Sequence, residues 1–220
     1  MTSFLIGATS SGCGKTTFTM GVLRALRNRG LEVQPFKCGP DYIDSMFHSM
    51  ASGHESVNLD TWLASEEHVR YLYQHYSKGA DISVVEGVMG LFDGYDKSRG
   101  SSAEIAGLLD IPVILLVNAN SVAYSVAPLI YGFKHFSDTI KLGGVIFNRV
   151  ASENHFSYLE QACSDAGVPC LGYLQQNPKL TVPGRHLGLT ITAKQEMEEL
   201  ICQAASEVEK HVLIDKILSL

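Results

Sequence analysis

Apolar positions along the chain follow two alternating rhythms. Short runs rich in β-branched and aromatic residues occupy Phe4–Gly7, Glu32–Phe36, Ile82–Glu86, Val113–Val117, Val145–Asn148 and Cys170–Tyr173. Longer stretches with helical spacing lie between them. Residues 15–29 put Phe18, Val22, Leu23 and Leu26 on one face, keep Arg24, Arg27 and Arg29 mostly off it, and meet a stop at Gly30. Residues 121–135, 153–166 and 193–211 repeat the pattern. Strands and helices alternating in this way predict βαβ units, hence an α/β fold: a mainly parallel sheet with helices on both faces. The segment "IPVILLV" is apolar throughout, as a central parallel strand requires. The closing "HVLIDKILSL" is too apolar for a free tail; it either docks on the domain or leads into further chain.

Composition narrows the class. A chain of 220 residues with 45% hydrophobic residues suits one globular domain with a real core. The net charge of −6 disfavours a nucleic-acid partner, whose phosphates attract Lys and Arg. The opening "MTSFLIGATS" has no basic leader, and its apolar run is too short for a signal peptide or a membrane span, so a cytoplasmic location without a membrane partner is expected. Cys13, Cys38, Cys163, Cys170 and Cys202 form no C-x-x-C pair and read as free thiols rather than a zinc site.

Candidate chemistry concentrates in three stretches. "ATSSGCGKTT" (8–17) follows the first strand and opens the first helical stretch. Gly12, Cys13, Gly14, Lys15, Thr16 and Thr17 form a phosphate cradle. Its glycines let successive N–H groups face phosphate oxygens, Lys15 neutralises β- and γ-phosphates, and the Thr16 hydroxyl suits Mg²⁺. Thr9 stands where the usual pattern has its first glycine, and Ser10 where partitioning-type ATPases carry an extra lysine. In "PFKCGPDYIDSMFH", Lys37 lies just past the second strand. If Pro40 starts a helix, Asp41 and Asp44 share a face, able to hold a metal or orient a nucleophile; alternatively Asp41 only caps the helix and Asp44 is a solvated acid. In "DISVVEGVMGLFDG", Glu86 tips a strand beside the cradle, a position that commonly serves Mg²⁺, and a glycine-rich loop runs to Asp93, which a turn alone would also explain. Asn148 ends another strand, where an amide can read a nucleotide base or simply close a turn. His48 and His186 lie in dense motifs.

Together "TSSGCGKTT", "PFKCGPDYID", "VEGVMGLFDG", "GVIFNRV" and "VPGRHLGL" resemble the cobyrinic acid a,c-diamide synthase family, of the dethiobiotin-synthetase-like P-loop group, from about Phe4 to Leu189. The resemblance implies ATP-dependent phosphorylation of the a- and c-side-chain carboxylates of a corrinoid in cobalamin biosynthesis, then attack by ammonia on the acyl phosphate. It implies ATP and Mg²⁺ as cofactors, with Thr16, Glu86 and Asp41 at the metal. Lys15 and Lys37 would face the transferring phosphoryl group. Asp41, Tyr42, Asp44, Glu86 and Asp93 would be active-site acids and substrate contacts. Asn118 replaces an aspartate common in the family, and Gly184 a glutamate. Family members continue into a class-I glutaminase domain; no cysteine here sits in its Gly-x-Cys-x-Gly elbow. Residues 1–220 are therefore expected to be a synthetase domain using ammonia directly, with a glutaminase domain or subunit as partner and a homodimer left open. Ni-sirohydrochlorin a,c-diamide synthase shares these motifs. A switch or partitioning-type ATPase is the rival from another class, and dethiobiotin synthetase a more distant one.

Overall fold

A computed structural model of the protein describes residues 2–180 and 191–220; the "VPGRHLGL" stretch, with Gly184 and His186, lies outside the described residues. Seven strands form one parallel sheet: β1 Thr2–Ala8, β2 Val33–Cys38, β3 Val57–Leu59, β4 Ile82–Glu86, β5 Val113–Asn118, β6 Leu142–Val150 and β7 Cys170–Gln175, in the order β3-β2-β4-β1-β5-β6-β7. The helices are α1 Lys15–Asn28, α2 Tyr42–Ser52, α3 Glu66–Tyr76, α4 Ser102–Leu109, α5 Val126–His135, α6 Glu153–Asp165, α7 Ile191–His211 and α8 Ile214–Leu218.

The sheet is buried on both faces because its strands are apolar at both parities. In β5, Val113, Leu115 and Val117 enter one core with α3, α4, α5 and α6, while Ile114 and Leu116 enter the other with α1, α2, α7 and α8. Growth of the sheet reverses where the chain passes from β4 over β1 to β5. Such a reversal opens a crevice at the carboxyl ends of the central strands.

Several elements differ from the sequence reading. The three-residue β3 lacks the length to register as a periodic run; it exists because β2 supplies a partner edge. Helices α3 and α4 are short, and α5 begins at Val126 rather than at residue 121. Arg24 does not lie off the buried face. Wedged between α2 and α7, it is buried, and donates to Ala51 O (3.0 Å), Met50 O (2.9 Å) and, through Nη2, Glu198 Oε2 (3.0 Å). A guanidinium at the carbonyl end of α2 meets that helix's negative pole. The last residues dock: Val212, Ile214 and Ile217 are buried against β7 and the α1 side of the sheet.

Candidate active site

The first turn of α1 is entered through Gly14 at φ 93°. A Cβ there would also lie 2.3 Å from Asn148 Nδ2, so only glycine fits. Asn148 holds the loop from below: Nδ2 donates to Cys13 O (2.8 Å), and its Oδ1 accepts from Arg149 N (2.9 Å). Arg149, itself left-handed, donates from Nη2 to Gly12 O (2.9 Å). The cradle backbone is thus clamped by β6, a role for Asn148 that the sequence reading did not foresee.

Beside the cradle, β2, β4 and α2 converge on one buried knot. Lys37 Nζ donates to Glu86 Oε1 (2.8 Å), Asp44 Oδ2 (2.9 Å) and Gly87 O (3.2 Å). Three acceptors meet the three protons of an ammonium. On the other side of Glu86, Oε2 accepts from His48 Nε2 (2.6 Å), and Thr16 Oγ1 donates to Oε1 (3.1 Å). Burial pushes the Glu86 carboxyl up, but the Lys37 charge and then His48 outweigh it and hold it well below its ordinary range. Burial pulls Lys37 down, and Glu86 with Asp44 reverses this and raises it. One ammonium thus sits between two carboxylates in this knot. Register explains its assembly: Lys37 pairs across the sheet with Glu86, and α2 brings Asp44 and His48, one helical turn apart, onto that pair.

His48 is the residue that sequence reasoning left without a role. It is fully buried, and with Nε2 engaged its Nδ1 has no hydrogen-bond partner among the described residues. The signal available was its i+4 relation to Asp44, which becomes informative only once α2 is known to face β4.

Asp41 caps α2: Oδ1 accepts from Ile43 N (3.0 Å) and Asp44 N (2.9 Å). Asp44 is no solvated acid but one of the buried members of the knot. Tyr42 projects from the first turn, 81% exposed. Asp93 is exposed and Oδ2 accepts from Gly90 N (2.9 Å), so its carboxylate shapes its own turn. Asn118 Oδ1 likewise accepts from Asn120 N (3.1 Å). Lys15 Nζ donates to Met89 O, a contact that bridges the cradle and the glycine-rich loop. Burial lowers the Lys15 pKa, with Lys37 adding to it and Glu86 opposing.

These groups open into one cavity of about 670 Å³, lined among others by Lys15, Thr16, Lys37, Asp41, Asp44 and Asn148; Glu86 lies beneath its floor, while Tyr42 and Asp93 are not on its wall. The cradle N–H groups, the α1 N-terminus and Lys15 fit a nucleoside polyphosphate. For Mg²⁺ the fit runs through Thr16. Its hydroxyl gives its proton to Glu86 and keeps lone pairs for a cation, with phosphate oxygens and water able to complete an octahedron. Glu86 has both oxygens engaged and stands behind Thr16. Among the described residues no group of three or more His, Cys, Asp or Glu is arranged to hold a metal by itself.

Relatives point the same way. The model of the CbiA family, "CobQ/CobB/MinD/ParA nucleotide binding domain", matches residues 4–189. Cobyrinate a,c-diamide synthase from Listeria innocua is 45% identical over 100% of this chain and 50% of its own length, and hydrogenobyrinate a,c-diamide synthase from Brucella ovis is 44% identical over 98% and 50%. The chain thus spans about half the length of the curated relatives it matches. A chloroplast FtsY structure from Physcomitrella patens shares the fold, with TM-score 0.55 and 13% identity over 91% of this chain and 65% of that one. With the cradle, the strand-tip acid and the parallel sheet all in place along the matched span, the chain belongs to the CbiA family of CobQ/CobB/MinD/ParA nucleotide-binding domains.

Proposed function

We propose that this chain is the ATP-dependent synthetase part of a cobyrinate- or hydrogenobyrinate-type a,c-diamide synthase, a carboxylate–amine ligase of cobalamin biosynthesis acting in the cytoplasm. The observation that carries the reading is the buried Lys37–Asp44–Glu86–His48 knot, whose Lys37 and Asp44 line the same cavity as Lys15 and Thr16.

A carboxylate oxygen of the tetrapyrrole attacks the γ-phosphorus of ATP, and the bond to the β–γ bridging oxygen breaks as ADP leaves. Ammonia then attacks the acyl carbon, inorganic phosphate departs, and the amide nitrogen loses its extra proton to water. Little of this needs covalent help from the protein; positioning and charge stabilisation carry it. Lys15 exchanges the Met89 carbonyl for β- and γ-phosphate oxygens. Thr16, oriented by Glu86, would hold Mg²⁺, which neutralises phosphate charge when bound. Lys37 is saturated by its acids, so it acts by fixing Asp44 in place and by keeping Glu86 ionised behind Thr16. Asp44 lines the cavity where the substrate carboxylate and ammonia meet. Asp41 positions α2, and Tyr42 and Asp93 stand outside the cavity wall as contacts for the bulk of the substrate. Ammonia arrives from a glutaminase domain or subunit, the role we assign to the half that the longer relatives have in addition.

The test is mass spectrometry of products after incubation with ATP, Mg²⁺, ammonium chloride and either cobyrinic acid, hydrogenobyrinic acid or Ni-sirohydrochlorin. A mono- or diamide of a corrinoid is expected. Glu86→Gln and Asp44→Asn should each abolish it while the fold is kept. Turnover retained in both variants would sink the site assignment, and ATP hydrolysis coupled to dimerisation without any amide would favour a switch ATPase.

A further inference from the structure

Trp62 is the single tryptophan of the chain and is 65% exposed. It meets Tyr95, 50% exposed, edge to face with ring centroids 4.5 Å apart. An exposed aromatic pair of this kind is a cost in water unless something covers it.

The pair is built to stay in place. Trp62 lies on the loop leaving β3 and Tyr95 on the loop leaving β4, so both stand at the carboxyl edge that carries the knot. Glu104 at the start of α4 clamps the two loops together: its Oε2 accepts from Thr61 Oγ1 (2.6 Å) and Gly100 N (2.8 Å). Asp60 Oδ1 fixes the Trp62 backbone by accepting its N–H (2.8 Å). The Tyr95 ring is seated on Gly100, where a Cβ would come within 2.6 Å of Tyr95 Cδ1. On the active-site side, Asn58 Nδ2 donates to Gly39 O (2.6 Å) and Asp41 O (3.1 Å), tying β3 to the loop that caps α2.

Charge completes the picture. The Arg99 guanidinium lies 5.6 Å from the centre of the Tyr95 ring, and Lys97 is two residues away on the same hairpin. Asp96 faces Arg99 only loosely, at 3.9 Å. A guanidinium over the Tyr95 ring, a second cation nearby in the chain and an exposed tryptophan beside them suit a broad, largely apolar body edged with carboxylates.

We propose that Trp62 and Tyr95, with Arg99, form the platform that takes the ring body of the tetrapyrrole polycarboxylate while one of its side-chain carboxylates reaches the Lys15–Asp44 cavity. This rests on the function proposed above. Rigid clamping by Glu104 means that little order is lost when the macrocycle lands. The platform distinguishes substrates by their body, and the knot acts on whichever carboxylate is presented.

The experiment is equilibrium binding of cobyrinic acid and hydrogenobyrinic acid to the full chain by ultrafiltration, in parallel with titration of a fluorescent ATP analogue. W62A and Y95A should each weaken tetrapyrrole binding about tenfold or more, W62F should recover most of it, and nucleotide affinity should stay within about twofold. R99M should weaken binding further in low salt than in high salt. Should Y95A unfold through loss of its seat on Gly100, W62A decides alone, since its side chain packs little. Tetrapyrrole affinity unchanged in W62A, or nucleotide affinity falling in step with it, overturns the platform. A wild-type chain that binds ATP but neither tetrapyrrole overturns the function itself, a distinguishable result.

Discussion

Replacing Lys37 with methionine keeps the volume of the stem and deletes the charge. Lys37, Asp44 and Glu86 are each under 5% exposed, so the two carboxylates would face each other without the ammonium that joins them. Breaking a buried ion pair from one side typically costs about 3–5 kcal/mol. The structure argues for that range, because one ammonium serves two acids. Denaturant unfolding followed by circular dichroism measures it. The pH dependence supplies the sharper signature. In the wild type the depressed Glu86 contributes stability that is present above its ordinary pKa of 4.5 and lost as pH falls below it. The raised Lys37 contributes stability present below 10.5 and lost as pH rises through its higher folded value. In K37M burial acts on Glu86 unopposed by that charge, so its carboxyl rises. The acid-side contribution of Glu86 shrinks with it, so K37M should lose less stability than the wild type as pH falls below 4.5. E86Q added to K37M should recover part of the loss. A cost under 1 kcal/mol, or an acid-side loss in K37M as large as in the wild type, would refute the buried knot.

Other expectations follow from single contacts. His48→Gln can still present an amide to Glu86 Oε2, whereas His48→Asn cannot reach; the Mg²⁺-dependent gain in nucleotide affinity should survive in the first and drop several-fold in the second, read by fluorescent-nucleotide titration with and without Mg²⁺. Lys15→Ala should abolish measurable ATP binding without lowering the melting temperature, and an unchanged dissociation constant would remove the cradle assignment. Gly14→Ala must bear a left-handed φ, about 1–2 kcal/mol for a non-glycine residue, and displace the Asn148 clamp; loss of nucleotide binding is expected, and a variant binding ATP like the wild type would show that the clamp is dispensable.

The cradle was legible because its chemistry is local: a strand end, a glycine-rich turn and a helix start are contiguous, and Gly14-Lys15-Thr16 carries its own geometry. The parallel sheet was legible for a related reason, since strands apolar at both parities can only be buried on both faces. Two short elements, β3 and α4, escaped because they are stabilised by neighbours rather than by their own periodicity.

The candidate acids show the other limit. Asp41 and Asp44 are three positions apart and chemically alike, yet one caps a helix and the other is buried against a lysine. Arg24 looked like part of a solvated face, and packing between α2 and α7 made it a buried donor. The sequence by itself determined the class of fold and the phosphate cradle, because both follow from contiguous pattern. Only the tertiary structure decided that Lys37 is spent on two acids, that His48 buttresses Glu86, and that Trp62 meets Tyr95. Each of those facts joins strands and loops distant in the chain, through a register and a helix placement that no local pattern encodes.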